Sequence, residues 1–220
     1  MKYLFLALLL ISSVIHLYHS WIDDAKHRPY TKPFLLLFII GYYLVSTQNI
    51  SWFLLLALIA SWLGDVLLIP KGHNWFRIGG TAFLIGHALF IGVYVPQIDF
   101  TAVPWLLMVP AAAVYAAISY FVMRAVKPTT PEYMVKPMHR YLLINSTMNL
   151  FALMQLLTVG GLGALITYIG AVLFFASDCS LFIVRYHASK GVAIKRHFTV
   201  MLTYIAGEFL ITLGTLMVRG

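Results

Sequence analysis

The chain has 220 residues, of which 61% are apolar and 10% are charged, and its mean hydropathy is +0.89. This composition excludes a soluble globular domain, in which about 25% of the residues are charged, and predicts an integral membrane protein. The formal net charge is +8, and the single cysteine, Cys179, excludes an intramolecular disulfide and a multi-cysteine metal site.

Eight apolar segments follow one another along the chain, and we predict that each is a transmembrane helix. A helix needs roughly 17 to 25 residues to cross a bilayer, and helix is the expected backbone where polar residues do not alternate with a period of two. The first segment lacks a clear small-residue cleavage site, so it is interpreted as a span rather than a secretory signal. The segments are residues 3–21, 33–45, 52–69, 78–95, 103–123, 141–158, 162–185 and 198–218. The sequence thus predicts an all-α polytopic protein of about eight transmembrane helices, forming one domain over residues 1–220.

The basic residues predict the orientation of these helices. Thirteen of the fifteen Lys and Arg residues fall in or beside the links after helices 1, 3, 5 and 7, and the links after helices 2, 4 and 6 contain none. The thirteen are Lys26, Arg28, Lys32, Lys71, Arg77, Arg124, Lys127, Lys136, Arg140, Arg185, Lys190, Lys195 and Arg196. By the positive-inside rule these links lie in the cytoplasm, so both termini are expected on the non-cytoplasmic side. This asymmetry explains the net positive charge, because the basic residues set the topology and contact anionic lipid. No nucleic-acid partner is expected. The longest link, residues 124–140, is predicted to be a proline-containing surface loop.

Three acidic residues fall inside predicted spans. They are Asp65, Asp178 and Glu208. An ionisable group in a span is costly unless it faces the bundle interior or a hydrated cavity, which favours a functional role over a structural interhelical hydrogen bond. At 1.5 Å per residue, the three acids lie roughly 8, 11 and 15 Å from the cytoplasmic ends of their helices. Four further polar residues fall in the same layer: His87, Tyr141, Asn145 and Asn149. Polar groups from five helices are therefore predicted to converge in the cytoplasmic half.

Short patterns bear on the orientation of these groups. Asn145 and Asn149 stand at i and i+4, and Asp178 and Arg185 stand two turns apart, so each pair shares one helical face. The segments "LGDVLL" and "IGHALF" of helices 3 and 4 parallel "ASDCSL" and "AGEFLI" of helices 7 and 8. A four-plus-four duplication and chance similarity between apolar segments are alternative interpretations.

Several classes of chemistry suit such a polar layer. Two carboxyls in different environments can divide the roles of general acid and general base. A metal-dependent hydrolase of another lipid bond is an alternative, but only His87 among eight histidines is deep in a span, and no H-E-x-x-H motif is present. A small proton-coupled carrier is a second alternative, because carriers also concentrate acids at a membrane site. The apolar outer halves of helices 3 and 7 favour an enzyme approached from one side.

Five stretches stand in order along the chain: "ASWLGDVLL" (60–68), "GGTAFLIGH" (79–87), "YLLINSTMNLFAL" (141–153), "GAVLFFASDCSLFIVRY" (170–186) and "YIAGEFLI" (204–211). Together they resemble the lysoplasmalogenase-like membrane family, over essentially the whole chain from Lys32-Pro33 onward. The resemblance implies an eight-helix enzyme that hydrolyses the vinyl ether bond of lysoplasmalogens to a fatty aldehyde and a glycerophospho-alcohol. It maps the two family aspartates onto Asp65 and Asp178. The family pattern has glutamine where Glu208 stands and tyrosine near Phe90.

The residues and the resemblance lead to one mechanistic hypothesis. Asp178, the deeper of the two aspartates, is the candidate acid, and Asp65 would stabilise the developing cation and activate water; the opposite assignment stays open. Four groups are expected to orient water or substrate around them, namely His87, Tyr141, Asn145 and Asn149, with Glu208 as an added ionisable group. Arg185, Arg77 and Arg140 are candidates for the substrate phosphate, although setting the topology is their alternative role.

The expected partners and location follow from this hypothesis. A lysophospholipid with an ethanolamine or choline head group is the expected substrate, membrane lipid is the expected surrounding, and neither a cofactor nor a bound metal is expected. The compact links suit a bacterial inner membrane.

Overall fold

The computed structural model describes residues 1–189 and 195–219, so Lys190 of the last basic link lies outside the described residues. Within them the chain folds into eight α-helices and two short 3-10 turns, without a strand. The helices are α1 (Lys2–Trp21), α2 (Arg28–Ser46), α3 (Trp52–Leu67), α4 (His73–Tyr94), α5 (Trp105–Val126), α6 (Glu132–Val159), α7 (Gly161–Tyr186) and α8 (Arg196–Arg219). Each predicted segment corresponds to one helix, and the all-α class is confirmed.

Six of the described helices are long and apolar enough to cross a membrane by length and composition, namely α1 and α4 to α8. Helix α3 is apolar but has only 16 residues, and the first turns of α2 carry Arg28 and Lys32. Large apolar side chains cover the outside of the bundle, among them Leu106 at 87% exposure and Val109 at 69%. Such a surface belongs in lipid, so the chain is an integral membrane protein. A crossing by all eight helices and the side on which the termini lie stay predictions.

Three helices begin earlier than predicted. Helix α2 starts at Arg28, α4 at His73 and α6 at Glu132, between five and nine residues before the apolar segments begin. The added turns carry charged and polar side chains on one face, because the ends of a membrane helix pass through the interfacial region where such residues are stable.

The prediction of a surface loop over residues 124–140 was wrong for most of its length. Helix α5 continues to Val126, and α6 already begins at Glu132 after Pro131. Met134 and Met138, spaced i and i+4, are both 2% exposed, so this amphipathic turn packs on the bundle. Pro137 lies inside the helix, where its missing N–H removes one backbone hydrogen bond without ending it.

The helices form two groups around the polar layer. Helices α2, α3 and α8 lie on one side, with α1 against α2 and α8. Helices α4, α6 and α7 lie on the other side, with α5 against α6 and α7. The pairs α3–α4 and α7–α8 join the two groups. Glycines bring each pair together, because a Cβ on Gly64 would lie 2.6 Å from the Phe83 ring, and a Cβ on Gly207 would lie 2.9 Å from the carbonyl oxygen of Gly170. The four-plus-four duplication stays a hypothesis.

Candidate functional site

A cavity of about 370 Å³ lies at the end of the bundle where the basic links gather, between the two groups of helices. Asp65 and Asp178 both line it, from α3 and α7. Basic and imidazole side chains also line it: His16, Arg28, Lys32, Lys71, Arg185 and His197. The cavity therefore combines two buried carboxyls with a cationic rim.

Asp65 is 1% exposed and has a charged partner. Lys32 Nζ lies 3.0 Å from Asp65 Oδ1, and the Tyr204 hydroxyl donates to Oδ2 at 2.8 Å. Both carboxyl oxygens are thus held from neighbouring helices, Lys32 reaching from α2 and Tyr204 from α8. A buried carboxylate is tolerated when it is paired with a cation and hydrogen-bonded in this way.

Asp178 is 5% exposed and is held by uncharged donors. The Tyr141 hydroxyl and the Asn145 amide each donate to Asp178 Oδ2 at 2.8 Å. Among the described residues, none donates a hydrogen bond to Oδ1. One oxygen is therefore fixed by α6, and the other is free to face the cavity.

His87 supplies the third contact of Asp178. Its Nε2 lies 3.3 Å from Asp178 Oδ2, while its Nδ1 lies 2.6 Å from the Phe83 carbonyl oxygen. A carbonyl oxygen only accepts hydrogen bonds, so Nδ1 carries a hydrogen. Nε2 and Oδ2 would then present lone pairs to each other unless one of the two side chains carries a further proton. The Asp178–His87 pair is therefore suited to share one exchangeable proton.

Asn149 lies one turn after Asn145, and its side-chain hydrogen bonds within the described part of the chain do not include Asp178. Its amide donates to Asn145 Oδ1 at 3.1 Å, and its own Oδ1 accepts from the Tyr115 hydroxyl at 3.3 Å. Asn145 and Asn149 are both fully buried. The prediction that the two asparagines share a face is confirmed, and the geometry makes Asn149 a residue that positions Asn145.

Glu208 is fully buried, one turn from Tyr204 on α8. Neither of its carboxyl oxygens has a hydrogen-bond partner of normal geometry among the described residues, although Ser61 lies close enough to interact with it. It does not line the cavity of Asp65 and Asp178. Glu208 therefore lies behind the site rather than in it.

The three arginines predicted to bind phosphate separate into two places. Arg185 lines the cavity, with its guanidinium 4.0 Å from the centre of the Phe76 ring and a hydrogen bond to the Gly72 carbonyl. Arg77 and Arg140 instead line a neighbouring groove of about 410 Å³ between α4, α6 and α7. We call this neighbouring groove the chain groove. Four apolar residues line both it and the cavity: Leu68, Phe76, Phe83 and Leu181. Tyr141 also lines it.

Lys32 and Tyr204 are the partners of Asp65 that sequence reasoning missed as site residues. Lys32 was counted only among the basic residues of a link, because α2 was predicted to begin at Pro33. Tyr204 stands four residues before Glu208, so the shared face of α8 was a signal that could have found it.

A possible metal-binding cluster lies outside the cavity. Among the described residues, His19, Asp24 and His27 form one group whose ligand atoms all lie within 4.8 Å of one another. Asp24 Oδ2 lies 3.1 Å from His19 Nδ1 and 2.6 Å from His27 Nδ1. The hydrogen bond from His27 holds the pKa of Asp24 at about 2, below its usual 3.8. The cluster spans the last turn of α1 and the link to α2, and it contains neither of the two cavity aspartates.

Comparison with known proteins yields one match. The sequence model of the YhhN family matches residues 27–215, from the start of α2 through most of α8, and this range contains Asp65, Asp178 and the side chains that pair with them or donate hydrogen bonds to them. No curated protein and no solved structure matches the chain at a significant level.

Proposed function

The chain belongs to the YhhN family, which is the lysoplasmalogenase family, and from this premise we propose that it hydrolyses the vinyl ether bond of lysoplasmalogens. The products are a fatty aldehyde and a glycerophospho-alcohol. The observation that carries the proposal is a pair of buried aspartates on opposite walls of one cavity, with a cation beside Asp65 and uncharged donors around Asp178. This difference suits one carboxyl to be a base and the other an acid.

The first step is the transfer of a proton to carbon. Asp178, whose Oδ2 lies 3.3 Å from His87 Nε2, protonates the vinyl carbon that is not bonded to oxygen, and the remaining group becomes an oxocarbenium ion. The Asp65 carboxylate, paired with Lys32, faces this cation across the cavity and stabilises it.

The next steps return both carboxyls to their starting states. Water adds to the oxocarbenium carbon as Asp65 removes its proton, which forms a hemiacetal. The hemiacetal hydroxyl then gives its proton to Asp178, the carbon–oxygen bond to glycerol breaks, and the protonated Asp65 gives its proton to the departing glycerol oxygen. One water is consumed, and no cofactor takes part.

The shape of the site supports a lysophospholipid as substrate. The phosphate would lie at the cationic rim, near Arg185, Lys71 and Arg28, and the alkenyl chain would lie in the chain groove. Because four residues line both the cavity and the chain groove, a lipid that occupies both would have its vinyl ether beside Tyr141 and Asp178. Arg77 and Arg140, which also line the chain groove, would contact lipid phosphate at the membrane surface. A bacterial inner membrane with the basic links in the cytoplasm is the location that we propose.

The test is aldehyde release from lysoplasmenyl-ethanolamine and lysoplasmenyl-choline by detergent-purified protein. Wild type is compared with Asp178→Asn and Asp65→Asn, and Asp99→Asn in the exposed link after α4 is the matched control. We expect each site variant to lose activity on the order of 100- to 10,000-fold, the usual contribution of a general acid or base, and the control to keep it.

A chelator arm separates the alternatives. Activity that survives chelation supports the two-carboxylate mechanism, whereas loss on chelation and recovery with zinc would support a metal-dependent hydrolase. If monodisperse wild-type protein releases no aldehyde, the proposed activity is contradicted, and a proton-coupled carrier becomes the favoured function.

A further inference from the structure

A second groove lies on the far side of α6 from the aspartates, between α5 and α6. Its volume is about 800 Å³, compared with 370 Å³ for the cavity. We call it the α5–α6 groove, and the residues that define it here are Tyr115, Ser119, Tyr120, Leu143, Ser146 and Thr147, with Arg124, Lys127 and His139 at one end. It shares no lining residue with the cavity or the chain groove.

The distribution of charge along this groove is one-sided. Arg124, Lys127 and His139 are exposed and lie at the C-terminal end of α5 and near the N-terminal end of α6, with no acidic residue in the lining. The rest of the groove is apolar or carries hydroxyl groups, and its edges include Tyr120 at 60% and Leu143 at 66% exposure. A lipid with an anionic head group and apolar chains has the same distribution.

We propose that the α5–α6 groove binds an anionic phospholipid from the leaflet that borders the basic links. The basic end holds the phosphate, and the acyl chains follow α5 and α6 toward Ser119 and Ser146. Because no carboxylate lines the groove, it lacks a partner for the ammonium group of a zwitterionic head. The groove therefore selects phosphatidylglycerol-like over phosphatidylcholine-like lipid. The proposed substrate site differs from it because two carboxyl side chains line that site.

A chain of side-chain hydrogen bonds connects this groove to the catalytic aspartate. The Tyr115 hydroxyl donates to Asn149 Oδ1 at 3.3 Å, and Asn149 Nδ2 donates to Asn145 Oδ1 at 3.1 Å. Asn145 Nδ2 then donates to Asp178 Oδ2 at 2.8 Å. Only Tyr115 lines the groove, and the two asparagines are fully buried. Lipid packed against the Tyr115 ring restrains the first member of this chain and so the orientation of the amide that holds Asp178.

The binding test does not depend on the proposed reaction. Purified protein is titrated with dioleoyl-phosphatidylglycerol or dioleoyl-phosphatidylcholine in detergent, and bound lipid is counted by native mass spectrometry. We expect a preference for phosphatidylglycerol that falls about 10- to 30-fold in the double variant Arg124→Gln/Lys127→Gln, at roughly 1 kcal/mol for each cation near an anionic lipid. Lys26→Gln/Lys136→Gln, which removes two exposed cations outside the groove, is the matched control and should keep the preference.

The coupling test rests on the proposed function. Phosphatidylglycerol should raise kcat for aldehyde release in wild type and in Tyr120→Phe, which removes a hydroxyl in the same groove but outside the chain of hydrogen bonds. Tyr115→Phe should keep lipid binding and lose the rise in kcat. If wild type releases no aldehyde, the proposed reaction fails while the binding result still decides the lipid site.

Three results would overturn the lipid site. They are equal binding of the two lipids, a preference that the Arg124/Lys127 variant retains, and a dimer without bound lipid that Leu143→Glu dissociates. The last result would assign the groove to a second copy of the chain. A rise in kcat that persists in Tyr115→Phe would remove the coupling alone.

Discussion

The two walls of the cavity hold the same residue type in opposite ways. On the Asp65 wall, built by α2, α3 and α8, a lysine lies 3.0 Å from the carboxyl. On the Asp178 wall, built by α4, α6 and α7, a tyrosine, an asparagine and a histidine surround the carboxyl, and none of them has a fixed charge. In the proposed mechanism, Asp65 accordingly remains the anion and Asp178 exchanges the proton. The comparison teaches that neighbouring side chains can suit two buried aspartates to different chemistry.

The largest expected effect comes from removing the cation of the Asp65 wall. Lys32→Met leaves a buried carboxylate unpaired, and the free energy of unfolding should fall by about 3 to 5 kcal/mol. Denaturation in detergent measures this change. Lys71→Met, in the same cavity but in none of the described ion pairs, should change stability little. The double variant Lys32→Met/Asp65→Leu should recover most of the loss, and a double variant as unstable as Lys32→Met would contradict the pairing.

A matched pair of tyrosine substitutions compares the two walls directly. Tyr204→Phe removes a donor to the ion-paired Asp65, and Tyr141→Phe removes a donor to Asp178. Hydrogen bonds to charged groups contribute about 1.5 to 3 kcal/mol and neutral ones about 0.5 to 1.5 kcal/mol. We therefore expect Tyr204→Phe to be the more destabilising in the same denaturation experiment. If Tyr141→Phe is the more destabilising, Asp178 would be the charged carboxylate, and the proposed acid and base roles of the two aspartates would be exchanged.

A smaller effect is expected at the rim that the two walls share. Arg185→Gln removes an exposed cation from the cavity, and we expect KM to rise about 5-fold with kcat unchanged, equivalent to roughly 1 kcal/mol of binding. The difference from wild type should shrink at high salt, because exposed charges are screened. A fall in kcat without a change in KM would move Arg185 from phosphate binding to the chemical step.

The smallest effect is expected in the link beside the Asp65 wall. The pKa of Asp24 is held at about 2 by the hydrogen bond from His27, below the usual 3.8. A lowered pKa stabilises the folded state above pH 3.8, and this contribution disappears as the pH falls toward 2. Asp24→Asn should therefore lower Tm slightly at pH 6, with a difference that shrinks below pH 3.8. A difference that stays constant down to pH 2.5 would show that the hydrogen bond does not depend on the charge.

The sequence could predict that polar side chains from several helices meet inside the bundle, because polar groups are costly in the bilayer. An ionisable side chain in a span must avoid lipid, so Asp65, Asp178 and Glu208 could be assigned to the interior before any packing was known. The helical period then placed Asn145 and Asn149 on one face. Early starts of α2 and α6 were missed because hydropathy detects the hydrocarbon core and not the interfacial turns that contain Arg28 and Glu132.

The sequence by itself thus determined an all-helical membrane protein and the residues that have to face its interior, since both follow from the cost of polar groups in lipid. Tertiary structure alone decided the partners. It placed Lys32 and Tyr204 against Asp65, put Arg77 and Arg140 in a separate groove, and left Glu208 behind the site. These arrangements depend on side chains of different helices, so they follow from which helices are neighbours and how they are rotated, and not from local pattern.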